Sequence, residues 1–379
     1  MSAAGRGVDE VYLDWNAATP PHPDVERAMA EARRDAWGNP ASVHAAGRRA
    51  RALVEDAREA VALRLGVEPR DVVFTSGGTE ANNLALHQAP ALVTSRIEHP
   101  SVVRVAEQLE RRGTPVIWLP VPASGRIDPG DVERALAGLP SGAFVALMAV
   151  NHETGVLQPL AEVAAVTVRA GAHLHVDAVQ AFGRLSREAY AHGDSFAVAS
   201  HKIRGPKGIG ALAFRPGKGP KPLVVGGAQE RGLRPGTVDA VAAAGFRAAV
   251  ERLPESEARY RALEPLRDEL ERALARTGEV NGGAPRAFHV TNLSVRGMKG
   301  DELVAALDLE GIRISSGSAC SAGTTEPSVV ITAMLGRERA ERAVRLSLGE
   351  ESREEDIKWV ISVWNRVVPR GSSRASSDG

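Results

Sequence analysis

Short apolar runs alternate with helix-patterned stretches through the first two thirds of this 379-residue chain, and few architectures accept that alternation. Residues 42–65 place Val43, Ala46, Ala50, Leu53, Ala57, Val61 and Leu65 at helical spacing and stop at Gly66. Residues 72–75 read as a buried strand running into a glycine turn and a helix from Thr79. Further apolar runs lie at 91–94, 116–119, 144–150 and 174–176, with helices from Ser101, Asp131 and Leu160 between most of them. Such alternation predicts an α/β domain built on a mostly parallel sheet flanked by helices. Val198 and residues 209–214 are two further strand candidates, on either side of Ser200-His201-Lys202. After Glu251 the texture changes: a charged helix (255–276), a strand (288–295), a helix (301–309), a Gly/Ser loop, a strand (344–348) and a last helix (354–367). The chain therefore reads as a large domain over 15–250. A smaller α+β domain takes 1–14 and 251–368, and the small polar residues of 369–379 form a disordered tail.

Charge excludes several functions. Lys+Arg 47 against Asp+Glu 47 leaves no net charge, which gives no support to a nucleic-acid or anionic-membrane partner. No run approaches the roughly 20 apolar residues of a membrane span. Residues 1–9 lack the apolar stretch of a signal peptide, so the expected location is cytoplasmic.

Two side chains stand out by scarcity. Cys320 is the only cysteine, so it makes no internal disulfide. It sits in SSGSACSAG (315–323), the composition of an exposed loop, where a thiolate can reach a substrate; an inert thiol is the alternative. The chain has six lysines. Lys218 and Lys221 fall in a Pro-Gly turn, Lys299 in a Gly-flanked loop and Lys358 on a charged helix face, all ordinary solvated positions. Lys207, between Pro206 and Gly208, suits the turn or an anion contact. Lys202 instead follows the apolar stretch 196–199 beside a tight turn, where an amine is well placed to form a Schiff base in a cleft.

Three further features suit a phosphate-bearing aldehyde cofactor. Ser76-Gly77-Gly78-Thr79-Glu80 joins a strand to a helix, so its backbone N–H groups, with the Thr79 hydroxyl, can hold a phosphate. An ordinary strand-to-helix turn would look similar. Asp177 ends an apolar strand, where a carboxylate needs a partner; a pyridinium nitrogen is suitable, and a helix N-cap is the plainer alternative. Gln180, three residues on, would reach the cofactor's phenolic oxygen.

The order of these segments resembles the cysteine desulfurase family of pyridoxal 5'-phosphate enzymes, in the class V aminotransferase group with the fold type I architecture. The matching stretches are Gly38-Asn39-Pro40-Ala41-Ser42, FTSGGTEANN (74–83), Glu98-His99-Pro100, DAVQA (177–181), HKIRGPKGIGAL (201–212), GGAQERGLRPGT (226–237), SSGSACSAG and VRLSLG (344–349). The cysteine loop resembles the branch with the longer SSGSAC loop. The resemblance implies that Lys202 carries the cofactor, Asp177 holds its ring nitrogen and His99 stacks on the ring. Gly78, Thr79, Ser200 and His201 would serve the phosphate. Thr237 would do so across a homodimer interface. Asn151 and His152 would stand at the ring side, and Arg345, assisted by Asn39, would clamp the substrate carboxylate. L-Cysteine would be the substrate, Cys320 the persulfide carrier and L-alanine the product. The sulfur would go to an acceptor or iron–sulfur scaffold protein; no resident metal is implied, only a transient iron–sulfur contact through Cys320.

Three departures from the family pattern are visible. Asn151-His152-Glu153 replaces Asn-Asn-Glu. Ala199 replaces a hydroxyl three residues before the lysine, for which Ser200 is the substitute. Asp14-Trp15-Asn16 replaces Asp-Asn-Asn, with no chemical consequence that the sequence reveals. The competing readings are selenocysteine lyase, another class V enzyme, and a low-activity scaffold for sulfur transfer.

Overall fold

A seven-stranded sheet organises the larger part of the molecule in the computed structural model, which describes residues 10–317 and 326–368. In chain order the strands are β1 (Val11–Tyr12), β2 (Val72–Thr75), β3 (Leu92–Ser95), β4 (Val116–Leu119), β5 (Phe144–Met148), β6 (His173–Asp177), β7 (Ser195–Ala199), β8 (Gly210–Phe214), β9 (Gly278–Val280), β10 (Val290–Val295), β11 (Ile312–Arg313) and β12 (Ala343–Ser347). The large sheet runs β2-β8-β7-β6-β5-β3-β4. Neighbours β7, β6, β5, β3 and β4 are parallel, and β8 is antiparallel to both β7 and β2. The sheet is thus the mostly parallel one expected, with a single reversed strand. Because β8 reverses between β7 and β2, β2 points the same way as the parallel strands, and its C-terminal end shares their edge.

The two-residue repeat of a strand divides each one between two cores. Val73, Ala197 and Leu212 pack with Ala81 and Leu84 of the helix Gly78–Leu86. Val72, Phe74, Phe196, Val198, Ala211 and Ala213 face the opposite way, into the main core with Val54, Ala57 and Val61 of Ala45–Leu65. A second cluster joins Val11 and Leu13 to Tyr260, Leu270, Leu303, Leu346 and Trp364. It covers the antiparallel sheet β12-β10-β9, while β1 pairs with β11 in a two-stranded parallel ribbon.

The helix expected over 42–65 begins at Ala45, where His44 Nδ1 accepts from Gly47 N at 3.3 Å. The single charged helix expected over 255–276 is two, Leu253–Arg261 and Glu264–Leu274. Pro265 lies in the second helix's first turn; lacking an N–H, it suits a new start and cannot continue an earlier ladder. The helices Pro23–Asp35 and Ala240–Glu251 add to the expected elements. The first buries only Val25 and Ala32, a stripe too thin to read as a period. The expected tail at 369–379 lies outside the described residues.

Candidate active site

The strands of the parallel edge end together, and the segments leaving them line one cavity of about 180 Å³. After β2 come Gly78 and Thr79, after β3 His99, after β5 His152, at the end of β6 Asp177, and after β7 His201 and Lys202. Arg345 reaches the cavity from β12, and Asn16 and Ala17 from the segment after β1. Open α/β sheets bind ligands at this edge because every loop that leaves a parallel strand there converges on it.

Lys202 Nζ donates to the carbonyls of Asn16 at 2.6 Å and Ala17 at 2.7 Å, so the amine is held at the cavity wall. Asp177 Oδ1 accepts from Val179 N at 3.0 Å, and its Oδ2 accepts from Asn82 Nδ2 at 2.7 Å. His99 caps the helix Pro100–Arg111: its Nδ1 accepts from Ser101 N at 3.1 Å, and its ring meets that of His152 edge-on at 5.5 Å. Burial lowers the His99 pKa; the Asp177 charge opposes this and Lys202 reinforces it. Burial, followed by His99, Arg345 and Lys202, holds His152 well below the ordinary imidazole value. Burial, with Lys202, Arg184 and Lys207, takes His201 down to about 4. Behind them, burial and the Asp177 charge push Glu98 well above the usual carboxylate range. Burial thus favours the uncharged form of each of these groups around Lys202 and Asp177.

Arg345 is almost fully buried. Its Nη1 donates to the His152 carbonyl at 3.0 Å, and its Nη2 to Asp14 Oδ1 at 2.6 Å and Ser315 Oγ at 3.3 Å. Its Nε finds no partner among the described residues, leaving a buried donor for an incoming carboxylate. Asp14 and Asn16 thus have a chemical consequence that the sequence did not reveal. Asn16 Nδ2 donates to the His152 carbonyl at 3.1 Å, and its Oδ1 accepts from Arg184 Nη1 at 2.7 Å. Arg184, wholly buried, also donates to the carbonyls of Trp15 at 2.9 Å and Lys202 at 3.0 Å. It braces the wall on which the amine rests.

Not all the expected residues meet here. Ser200 is not among the residues lining the cavity; its Oγ, buried with no partner among the described residues, lies 2.0 Å from where a Cβ on Gly205 would stand. The Asn151 side chain is taken up by backbone, donating to the Ile97 carbonyl after β3 at 3.0 Å and accepting from Glu153 N and Thr154 N of its own loop. Gln180 lines the cavity, but its Nε2 donates to the Asn16 carbonyl at 3.0 Å and its Oε1 accepts from Arg184. Asn39 and Thr237 line a separate groove of about 220 Å³ beside Arg58 and Glu230. Cys320 lies outside the described residues. Both flanks of its loop are anchored at the site: Ser315 exchanges backbone hydrogen bonds with Arg345, and Ser328 Oγ donates to Glu153 Oε2 at 2.5 Å. Sequence reasoning missed Asn16, Asn82 and Arg184, although Asn82 stands in FTSGGTEANN and Arg184 four residues after Gln180.

Pyridoxal phosphate fits this donor set. The first-turn N–H groups of Gly78 and Thr79 have no acceptor within their helix and suit a phosphate. Asp177 suits a pyridinium, Lys202 an aldehyde, and the orphaned Arg345 Nε a substrate carboxylate. The family model for class V aminotransferases matches residues 11–360. An IscS-like cysteine desulfurase of Mycobacterium tuberculosis is 39% identical over 96% of this chain and 98% of its own length. The fold superimposes on a NifS-like protein from Rickettsia africae with a TM-score of 0.84, at 29% identity over 94% of this chain and 99% of that one. The protein SspA, solved in complex with cysteine, gives a TM-score of 0.78 at 33% identity, over 90% of this chain and 100% of that one. A fold and site of this kind define a class V aminotransferase. Within that group the chain belongs to the cysteine desulfurase family.

Proposed function

We propose that this chain is a pyridoxal phosphate-dependent cysteine desulfurase that converts L-cysteine to L-alanine and carries the sulfur away on Cys320. The convergence of Lys202, Asp177, His99 and Arg345 on one cavity supports this most directly. When bound, pyridoxal phosphate supplies an electron sink for charge developing at the substrate Cα. Gly78, Thr79 and His201 would hold its phosphate, and Asp177 its ring nitrogen. Arg345 would bind the substrate carboxylate through Nε while Asp14 keeps the guanidinium in place. Lys202 Nζ, leaving the carbonyls of Asn16 and Ala17, would take the Cα proton. His99 would stand over the ring as a neutral imidazole.

The Cys320 thiolate would then attack the substrate sulfur. The sulfur–carbon bond breaks as the new sulfur–sulfur bond forms, its electron pair stays with the carbon fragment, and protonation there yields alanine. The anchoring of the loop's flanks to Arg345 and Glu153 supports this reach. Asn39 and Thr237, which lie outside the Lys202 cavity in one chain, fit a homodimer in which each subunit completes the other's site. Exposed Trp37, Val43 and Val225, close by in sequence, suit such an interface. No helix among the described residues is long and apolar enough to cross a membrane. A cytoplasmic enzyme supplying sulfur for iron–sulfur clusters or another sulfur-bearing cofactor accords with the family.

Alanine and sulfide released from L-cysteine under reducing conditions should appear with the native protein and vanish in Cys320→Ala, while both proteins keep the yellow colour that Lys202→Ala loses. A yellow native protein that releases neither product would sink the reading.

A further inference from the structure

Behind the cavity a continuous run of hydrogen bonds joins His173 to His99 through Ser195, His175, Asn82 and Ser101, and its direction can be deduced one donor at a time. Asn82 Nδ2 stands 2.7 Å from Asp177 Oδ2 and 2.8 Å from Ser101 Oγ. A carboxylate oxygen only accepts, so the amide presents its N–H groups to this side. Asn82 Oδ1 is therefore the acceptor for His175 Nε2 at 2.9 Å, and His175 carries its proton on Nε2. Its Nδ1, which is then bare, accepts the Ser195 hydroxyl at 2.8 Å, and Ser195 Oγ accepts from His173 Nε2 at 2.8 Å. At the other end, the Ser101 backbone N–H donates to His99 Nδ1, which is therefore also bare. The Ser101 hydroxyl, 2.7 Å from the same nitrogen, donates to it as well. His99 in its neutral form holds its proton on Nε2. Asn82, Ser101, His175, Ser195 and His173 are all buried, so water cannot substitute for a lost partner. Burial, with the neighbouring His173, takes His175 down to about 3, which keeps it the neutral imidazole that this direction requires.

We propose that Asn82 is a positioning residue of the site: one side-chain amide holds the Asp177 carboxylate, directs the Ser101 hydroxyl onto His99 Nδ1 and fixes the Nε2-protonated form of His175, while the Asp177 carboxylate stops the amide from turning over. A turned amide would set its oxygen against the Asp177 carboxylate, two acceptors facing each other. One residue thereby touches both the carboxylate that would hold the cofactor's ring nitrogen and, through Ser101, the imidazole of His99. This rests on the reading of Asp177 and His99 as the groups that face the cofactor.

The test is the imidazole ¹⁵N spectrum of the histidine-labelled, cofactor-loaded protein at neutral pH. His99 and His175 should both show a protonated Nε2 and a bare Nδ1. Asn82→Ala should shift the nitrogen signals of both rings, Ser101→Ala those of His99 but not His175, and Ser195→Ala those of His175 and His173 but not His99. His175 protonated on Nδ1 in the native protein, a result that needs no variant to fold, would overturn the assignment. So would an Asn82→Ala protein whose two rings keep their native signals. A native protein that fails to release alanine yet shows both expected tautomers would count against the proposed function only.

Discussion

Asn16 is short and uncharged, yet Lys202 and Gln180 converge on its carbonyl, and Arg184, His289 and the His152 carbonyl on its side-chain amide. Its placement is set one residue earlier, by Trp15. That ring is buried, donates through Nε1 to the Tyr12 carbonyl at 3.1 Å, and lies where a Cβ on Gly349 would come within 1.7 Å of Cδ2. Only glycine leaves room for the ring, which explains the glycine closing VRLSLG. Gly349→Ala should cost about 1–3 kcal/mol of stability through overpacking, read as a lower urea midpoint. It should also reduce cysteine turnover, because Asn16 and the rest of Lys202 move with Trp15. An unchanged midpoint would mean that the ring has another place to go.

At the scale of elements, the groove that holds Asn39 and Thr237 is fastened to the main core by one buried ion pair. Arg58, from the helix Ala45–Leu65, meets Glu230 with two parallel bonds of 2.7 and 2.8 Å, both side chains being nearly inaccessible. Glu230 also accepts from Phe74 N at 2.8 Å, tying the segment Gln229–Gly232 to β2. Breaking such a pair on one side costs about 3–5 kcal/mol where the remaining charge has no other partner; here Arg58 keeps the half-exposed Glu55, at 3.0 Å. Glu230→Gln should lower stability by up to that order in a chemical denaturation curve, and a loss below about 1 kcal/mol would show that Glu55 suffices for Arg58. Sequence did not announce the pair, because its two members lie far apart in the chain and each looks like an ordinary surface charge. Periodicity placed the helix, and only the packed fold shows that one of its arginines turns inward.

Across the whole molecule, buried neutral histidines set the response to acid. His152, His175 and His289 are buried and held well below the ordinary value of 6.5, His175 at about 3, while His173 is held at about 4. The unfolded chain takes up protons below pH 6.5 that these folded side chains refuse. Their contribution is thus intact above the unfolded value and is lost as pH falls toward the folded ones. Each costs about 1.4 kcal/mol per pH unit in that window. Glu98 and Glu257, whose pKa values are raised, act with the opposite sign, while lowered His99 and His201 add to the histidine effect. The urea midpoint should therefore fall as pH drops from about 6.5 toward about 4, and a flat profile there would mean that these histidines are solvated.

Local chemistry was legible wherever it repeats or punctuates. The alternation of runs defined the α/β sheet, Gly66 ended its helix, and the neighbours of Lys202, Asp177 and Gly78 marked strand ends. Family likeness extended this to His99 and Arg345, which the structure brings to the same cavity as Lys202. Sequence could not show which way a side chain turns once packed. Ser200 and Asn151 stand beside the site in sequence but do not line it, while Asn16, Asn82 and Arg184 carry no distinguishing pattern and serve it. By itself the sequence determined the fold class, the strand-end positions of the chemistry and the single thiol, because period and composition are local properties. The tertiary structure alone decided the hydrogen-bond partners, the depressed imidazoles and the Asp14–Arg345 and Arg58–Glu230 pairs. Those depend on burial and on contacts between residues far apart in the chain, where low polarity makes each unmet partner costly.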